Sequence, residues 1–175
     1  MSITLYDASV PVFRRYLVQL SSLVDRAMAH AAEHGLEPHA LLEARLAPTM
    51  FPFATQVEIA VNFVPRTCAP LAGFEVPPYG EYERSFAGLK QRIAKAHAFL
   101  DTLAPAQMEG AAERTITSRA GMETVTLPGR EFLTLYALPN FFFHLSAAYA
   151  ILRHAGVELG KRDFDGFHLY PAPSN

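Results

Sequence analysis

Phe13, Leu17, Leu20, Val24 and Ala27 recur at steps of three and four residues. That spacing lines one face of an α-helix and is incompatible with a strand, whose side chains alternate between two faces. Arg14, Arg15, Asp25 and Arg26 fall largely off the stripe. Ser9 is a good N-cap, Pro11 stands in the first turn where no donor is missed, and Gly35 suits a helix stop. The expectation is one long amphipathic helix from about Val10 to His34. The same period returns three times. Phe53, Val57, Ala60, Val61 and Val64 mark a helix from about Phe51 to Cys68, with Thr55, Glu58, Asn62 and Arg66 on its polar side and Gln56 at the edge of its apolar face. Pro65 is expected to end or kink it. Phe86, Leu89, Ile93, Ala96 and Leu100 mark a third helix, about Tyr82 to Leu103. A fourth covers about Arg130 to His154, bent at Pro139 and ended by Gly156.

The connections are of a different character. Pro38 opens a short helical piece, His39 to Leu46. Pro70 to Gly80 is rich in proline and glycine and reads as a surface connection. Arg114 to Thr117 and Glu123 to Leu127 are β-branched, alternate in polarity and flank Ala120-Gly121, which signals a hairpin. The tail from Lys161 to Asn175 carries Phe164, Phe167 and Tyr170 without a period, and is expected to pack back loosely or fray. These elements predict one all-α domain over residues 1–175, a four-helix bundle of up-down-down-up type with a small β-hairpin between helices three and four.

Composition narrows the function classes. Half of the 175 residues are hydrophobic and only 18% are charged, below the usual quarter or so. That favours a large core or an apolar surface used for a homodimer. A net charge of −2 without a basic stripe argues against nucleic acid and anionic membrane as partners. No uninterrupted apolar run approaches the ~20 residues needed to span a bilayer, and Met1 to Asp7 lacks the layout of a secretion signal. A cytoplasmic protein is expected. Cys68 is the single cysteine and can form neither an internal disulfide nor a cysteine-rich zinc cluster, so it reads as a small structural thiol.

The chemistry concentrates in Leu138-Pro139-Asn140-Phe141-Phe142-Phe143-His144-Leu145. Asn140 and His144 stand four residues apart, on one helix face, inside a very apolar segment. Neither is cheap to bury alone, so the pair either satisfies itself in the core or lines a site. Gln56 could complete a three-residue polar cluster, and Tyr149 could line the same cavity or fill core space. One imidazole and two neutral amides make a poor zinc or nickel site, because such sites are built from His, Cys and carboxylates. His30 and His34 share the four-residue spacing, yet stand at a helix C-terminus where histidine complements the dipole. Nucleophile elbows, phosphate-binding glycine loops and HExxH-type metal helices are absent.

Three runs carry a family likeness: Arg45-Leu46-Ala47-Pro48-Thr49-Met50-Phe51-Pro52, the segment from Leu138 to His144, and Leu152-Arg153-His154-Ala155-Gly156-Val157 with Gly160-Lys161-Arg162-Asp163-Phe164. Through them the chain resembles the DinB-like (YfiT-like) superfamily, and within it an uncharacterised bacterial branch known as a domain of unknown function. The likeness implies a four-helix bundle and a divalent-metal site built from one histidine of helix two and an HxxxH pair of helix four. Here His144 takes the place of the second histidine of that pair, Asn140 replaces the first, and Gln56 stands nearest the helix-two position. The resemblance therefore implies a degenerate metal site, with His144 as its remaining ligand and no cofactor assured beyond a possible zinc or nickel ion. Three functions follow as alternatives: a small-molecule-binding protein, a metal-dependent hydrolase or thiol-dependent transferase using His144, and a structural homodimer with a vestigial site.

Overall fold

A computed structural model describes residues 3–169. The chain is mostly helical, with one two-stranded antiparallel sheet. The first helix, α1 (Leu5–Glu33), begins five residues before the expected start. Thr4 caps it: its hydroxyl accepts from the Asp7 amide while the Asp7 carboxylate accepts from the Thr4 amide, a reciprocal capping box. Ser9 is no cap. It is buried inside the helix, where its hydroxyl donates back to the Leu5 carbonyl at 2.6 Å. A single turn, α2 (Pro38–Leu42), leads into α3 (Phe53–Leu71). Neither Pro65 nor Pro70 ends α3, which runs three residues past the expected stop. The next helix, α4 (Phe86–Asp101), starts with its apolar stripe and not at the expected Tyr82, because Ser85 caps it through the Gly88 amide.

After a 3-10 turn (Pro105–Met108) come β1 (Thr115–Ala120) and β2 (Glu123–Pro128). Ala120 pairs with Glu123, leaving Gly121 and Met122 as a two-residue turn. Gly121 has φ 65°, the positive value that such hairpin turns demand and that glycine supplies without strain. Ile116 anchors the hairpin in the core.

The last long helical run has three parts: one turn, α5 (Gly129–Glu131), a π-helical segment (Phe132–Ala137) and α6 (Leu138–His154). The expected interruption at Pro139 takes the form of this wider turn, in which the Leu138 amide reaches back five residues to the Leu133 carbonyl. Proline in a helix removes a donor and crowds the carbonyl four residues back, and a wide turn relieves both. By length and composition Gly129–His154 is sufficient to cross a membrane, contrary to the expectation from uninterrupted runs. Its inward side, with Phe132, Leu133, Phe141, Leu145 and Ile151, is buried in the protein core.

The tail is more ordered than its aperiodic sequence suggested. A short α7 (Lys161–Asp165) packs on α1. Arg15 donates to the Asp165 carbonyl at 2.8 Å and stacks over Phe167, while Phe164 meets Tyr16 and Tyr149. Tyr170 lies outside the described residues. The core is shared by α1, α3, α4 and α6, and α3 is flanked by α4 on one side and α6 on the other. That central position gives α3 two working faces.

Candidate functional site at the α3–α6 seam

Gln56 stands in the first turn of α3 and is 1% exposed. Its side-chain amide nitrogen donates to the Phe51 carbonyl at 3.1 Å, just ahead of the helix. This turns Oε1 toward α6, where it lies 2.7 Å from His144 Nδ1. An amide oxygen only accepts, so Nδ1 carries the proton and Nε2 is left with its lone pair. The turn before α3 thereby fixes the tautomer of a histidine 88 positions away. Among the described residues Nε2 has no partner, yet it is not sealed from solvent. Burial pushes the His144 pKa down to about 4, because the half-buried ring resists taking a charge. The imidazole is thus neutral at ordinary pH, with Nε2 as its acceptor.

The ring is held by aromatics as well. Phe63 stacks on it at 6.2 Å between centroids, and Phe143 meets it edge-on at 5.1 Å. The three consecutive phenylalanines of α6 have different fates: Phe141 is fully buried, Phe142 packs against the core and Phe143 is 59% exposed. His144 consequently lies at the rim of the core.

Asn140 does not join the Gln56–His144 pair. Its amide nitrogen donates to the Tyr136 carbonyl at 2.7 Å, one turn back at the junction with the π-helical segment. Short polar side chains compete for nearby backbone groups in this way. Its Oδ1 has no partner among the described residues. Tyr149 lies elsewhere: its ring packs on Phe164 of α7.

Two further residues belong to this seam and were not singled out from sequence. Arg66, assigned above only to the polar side of its helix, donates to Ser118 Oγ of β1 at 3.1 Å and to the Tyr136 hydroxyl at 2.9 Å. Its guanidinium lies 4.8 Å from the Phe63 ring centroid. Tyr136 in turn donates to the Arg119 carbonyl at 3.0 Å. Phe63 therefore borders both the imidazole and a half-buried cation that pairs with no carboxylate among the described residues. The pairing with β1 could have been suspected only once the hairpin was known to fold over α3.

The donor set does not fit a resident zinc or nickel ion. Gln56 Oε1 is committed to His144, Asn140 offers a neutral oxygen, and among the described residues no three His, Cys, Asp or Glu side chains converge as ligands. Cys68 brings no chemistry: it is fully buried and its thiol pKa is pushed up to about 12.

Comparison with known proteins places these features in a family. The family described as Domain of unknown function (DUF1993) matches residues 5–165. The crystal structure of a DinB family member protein from Shewanella denitrificans superposes with a TM-score of 0.86 at 37% identity, covering 97% of this chain and 96% of that one. No curated protein matches.

Proposed function

The chain belongs to the DUF1993 family of DinB-like domains, and from that premise we propose that it binds a small hydrogen-bonding molecule at the seam between α3 and α6, with its four long helices forming a DinB-type bundle and the family's metal site degenerate. One observation carries this reading: the Gln56–His144 bond, which leaves His144 Nε2 as a neutral acceptor that is unpartnered among the described residues and not sealed from solvent. The same strip offers the free Oδ1 of Asn140 and the cationic head of Arg66. A molecule donating to Nε2 and to Oδ1, and presenting an acceptor or π-face toward Arg66, matches these groups. A few placed polar groups beside aromatic walls are what a small-molecule site needs.

The test is a nuclear magnetic resonance screen of primary amides, ureas and alcohols, observing the His144 ring. Ligands are expected to perturb His144 and to lose most of their affinity in His144→Phe. Compounds binding that variant equally well would refute the assignment. Protein incubated with zinc or nickel and then dialysed is expected to retain far less than one equivalent. A stoichiometric ion lost in His144→Ala would instead favour the metal-dependent enzyme.

A second reading has its own support. Phe143 is 59% exposed and Leu46 41% exposed, and with Met50, Ala147 and Ala150 they make an apolar face on α6 and the turn before α3. We propose that a second copy of the chain covers it, since exposed apolar patches mark association surfaces. Light scattering is expected to give a dimer that Phe143→Glu converts to a monomer. A concentration-independent wild-type monomer would end this reading.

A further inference from the structure

His30 and His34 meet at the C-terminal end of α1, where their rings stack with centroids 4.0 Å apart. His34 Nδ1 lies 2.9 Å from the His30 carbonyl oxygen. A carbonyl only accepts, so Nδ1 carries the proton and Nε2 keeps its lone pair. Among the described residues neither ring nitrogen of His30 has a hydrogen-bond partner. One edge of that ring is turned to Gly156, just past the end of α6: a Cβ there would stand 3.8 Å from Cε1 and 3.9 Å from Nε2. Gly156 has φ +90°, a conformation that favours glycine, so no side chain covers the imidazole edge from that position.

The two rings border a mostly polar hollow of about 360 Å³ between the C-terminal turns of α1 and the turn after α6. Glu33 and Glu158 also line it, and among the described residues neither carboxylate has a hydrogen-bond or ion-pair partner. Acids elsewhere on this chain do find cations, as Asp25 does with Lys90 and Glu43 with Arg84. Arg26 is the cation of the lining, and its guanidinium donates to the Glu158 backbone carbonyl at 2.6 Å. Two carboxylates against one guanidinium leave the hollow negative, and the C-terminal end of α1 adds partial negative charge. Two imidazoles, two unpaired carboxylates and a helix C-terminus all favour a cation here.

We propose that this hollow is an exchangeable site for a divalent transition-metal ion, copper(II) foremost, held by Nε2 of His30 and of His34 with water and the flanking carboxylates in the remaining positions. Histidines four residues apart on one helix face offer two nitrogens to a single ion. Near-parallel rings do not aim both lone pairs at one point, and among the described residues no third ligand converges on them. Binding therefore turns the His30 ring, which no hydrogen bond restrains, toward His34 Nε2. Two imidazoles with oxygen ligands form the mixed set that copper(II) takes in tetragonal geometry, and copper(II) has the highest affinity among the divalent first-row ions. Zinc and nickel stand lower in that order and are held too weakly by two histidines to survive dialysis. The hollow has room for the ion with its water ligands. From His144 to His154 at the end of α6 is about 15 Å of helix, so this site stands independently of the function proposed above.

The experiment is calorimetric titration of the untagged whole protein with copper(II) chloride, with glycine present as a weak competing chelator, joined to nuclear magnetic resonance to locate the ion by the broadening it causes. One copper(II) per chain is expected in the strongest class of site, with the amide signals of residues 29–34 and 156–158 broadening first. His30→Gln and His34→Gln are each expected to weaken copper at least about tenfold, the least that losing even a ligand's supporting partner costs. Together they are expected to abolish the site. His144→Phe is expected to change nothing here, which separates this site from the other. No copper binding by the wild type, broadening that begins around another histidine, or equal affinity in the doubly substituted His30→Gln, His34→Gln protein overturns the proposal. If His30→Gln does not fold, His34→Gln, made at an exposed position, and the broadening pattern still decide it.

Discussion

Lowering the pH tests the environment of His144 directly. The folded ring has a pKa of about 4, against about 6.5 for an unfolded histidine. Between those values the unfolded chain binds more protons than the folded one, so stability falls as pH drops through that window and is unaffected above it. At pH 5 the full linkage term for such a shift is about 2 kcal/mol. The ring is only half-buried, so screening reduces this to about 1 kcal/mol. For a chain of this size that corresponds to a fall in Tm of about 2–4 °C. Other groups also titrate in acid, so the informative quantity is the difference between wild type and His144→Gln. We expect the two Tm curves to run parallel above pH 7 and to converge by about 2–4 °C between pH 7 and 5, because the variant lacks the titrating ring. Parallel curves across the whole range, or a His144 resonance that titrates near 6.5 in the native protein, would refute the reasoning.

Gln56→Leu removes the acceptor from His144 Nδ1 and the donor to the Phe51 carbonyl, so we expect a loss of about 2 kcal/mol in urea denaturation, with Asn140→Ala costing less because its single bond is local. Cys68 should resist thiol reagents in the native state and react only on unfolding, as its full burial and pKa of about 12 require; rapid native labelling would show that the α3 core opens.

The apolar stripes made the long helices legible because each stripe is a property of one helix alone. Their ends were less legible. Thr4 and Ser9 are both acceptable caps by type, and only the Asp7 carboxylate three residues beyond Thr4 distinguishes them. Pro65 reads as a stop, yet α3 carries it in a buried position where packing outweighs the lost hydrogen bond. The short α7 has no period to detect; its place is set by Arg15, 150 residues earlier in the chain. The site divides in the same way. Helical phase was enough to bring Gln56 and His144 to one seam, because both face between the same pair of helices. Phase could not show that Asn140 would bond its own backbone at the π-helical junction, since that depends on which acceptor lies nearest. Nor could it show Arg66 and Tyr136 meeting beneath the hairpin, which needs the tertiary position of β1.

The central claim is that Gln56 holds His144 as a neutral ring with its proton on Nδ1 and a free lone pair on Nε2. Long-range proton–nitrogen correlation spectra of the native protein near pH 7 read this tautomer from the two ring nitrogens. The account predicts a protonated Nδ1 and an unprotonated Nε2, reverting toward a mixture in Gln56→Leu. A proton on Nε2 in the wild type, or a tautomer mixture indifferent to Gln56, would contradict it.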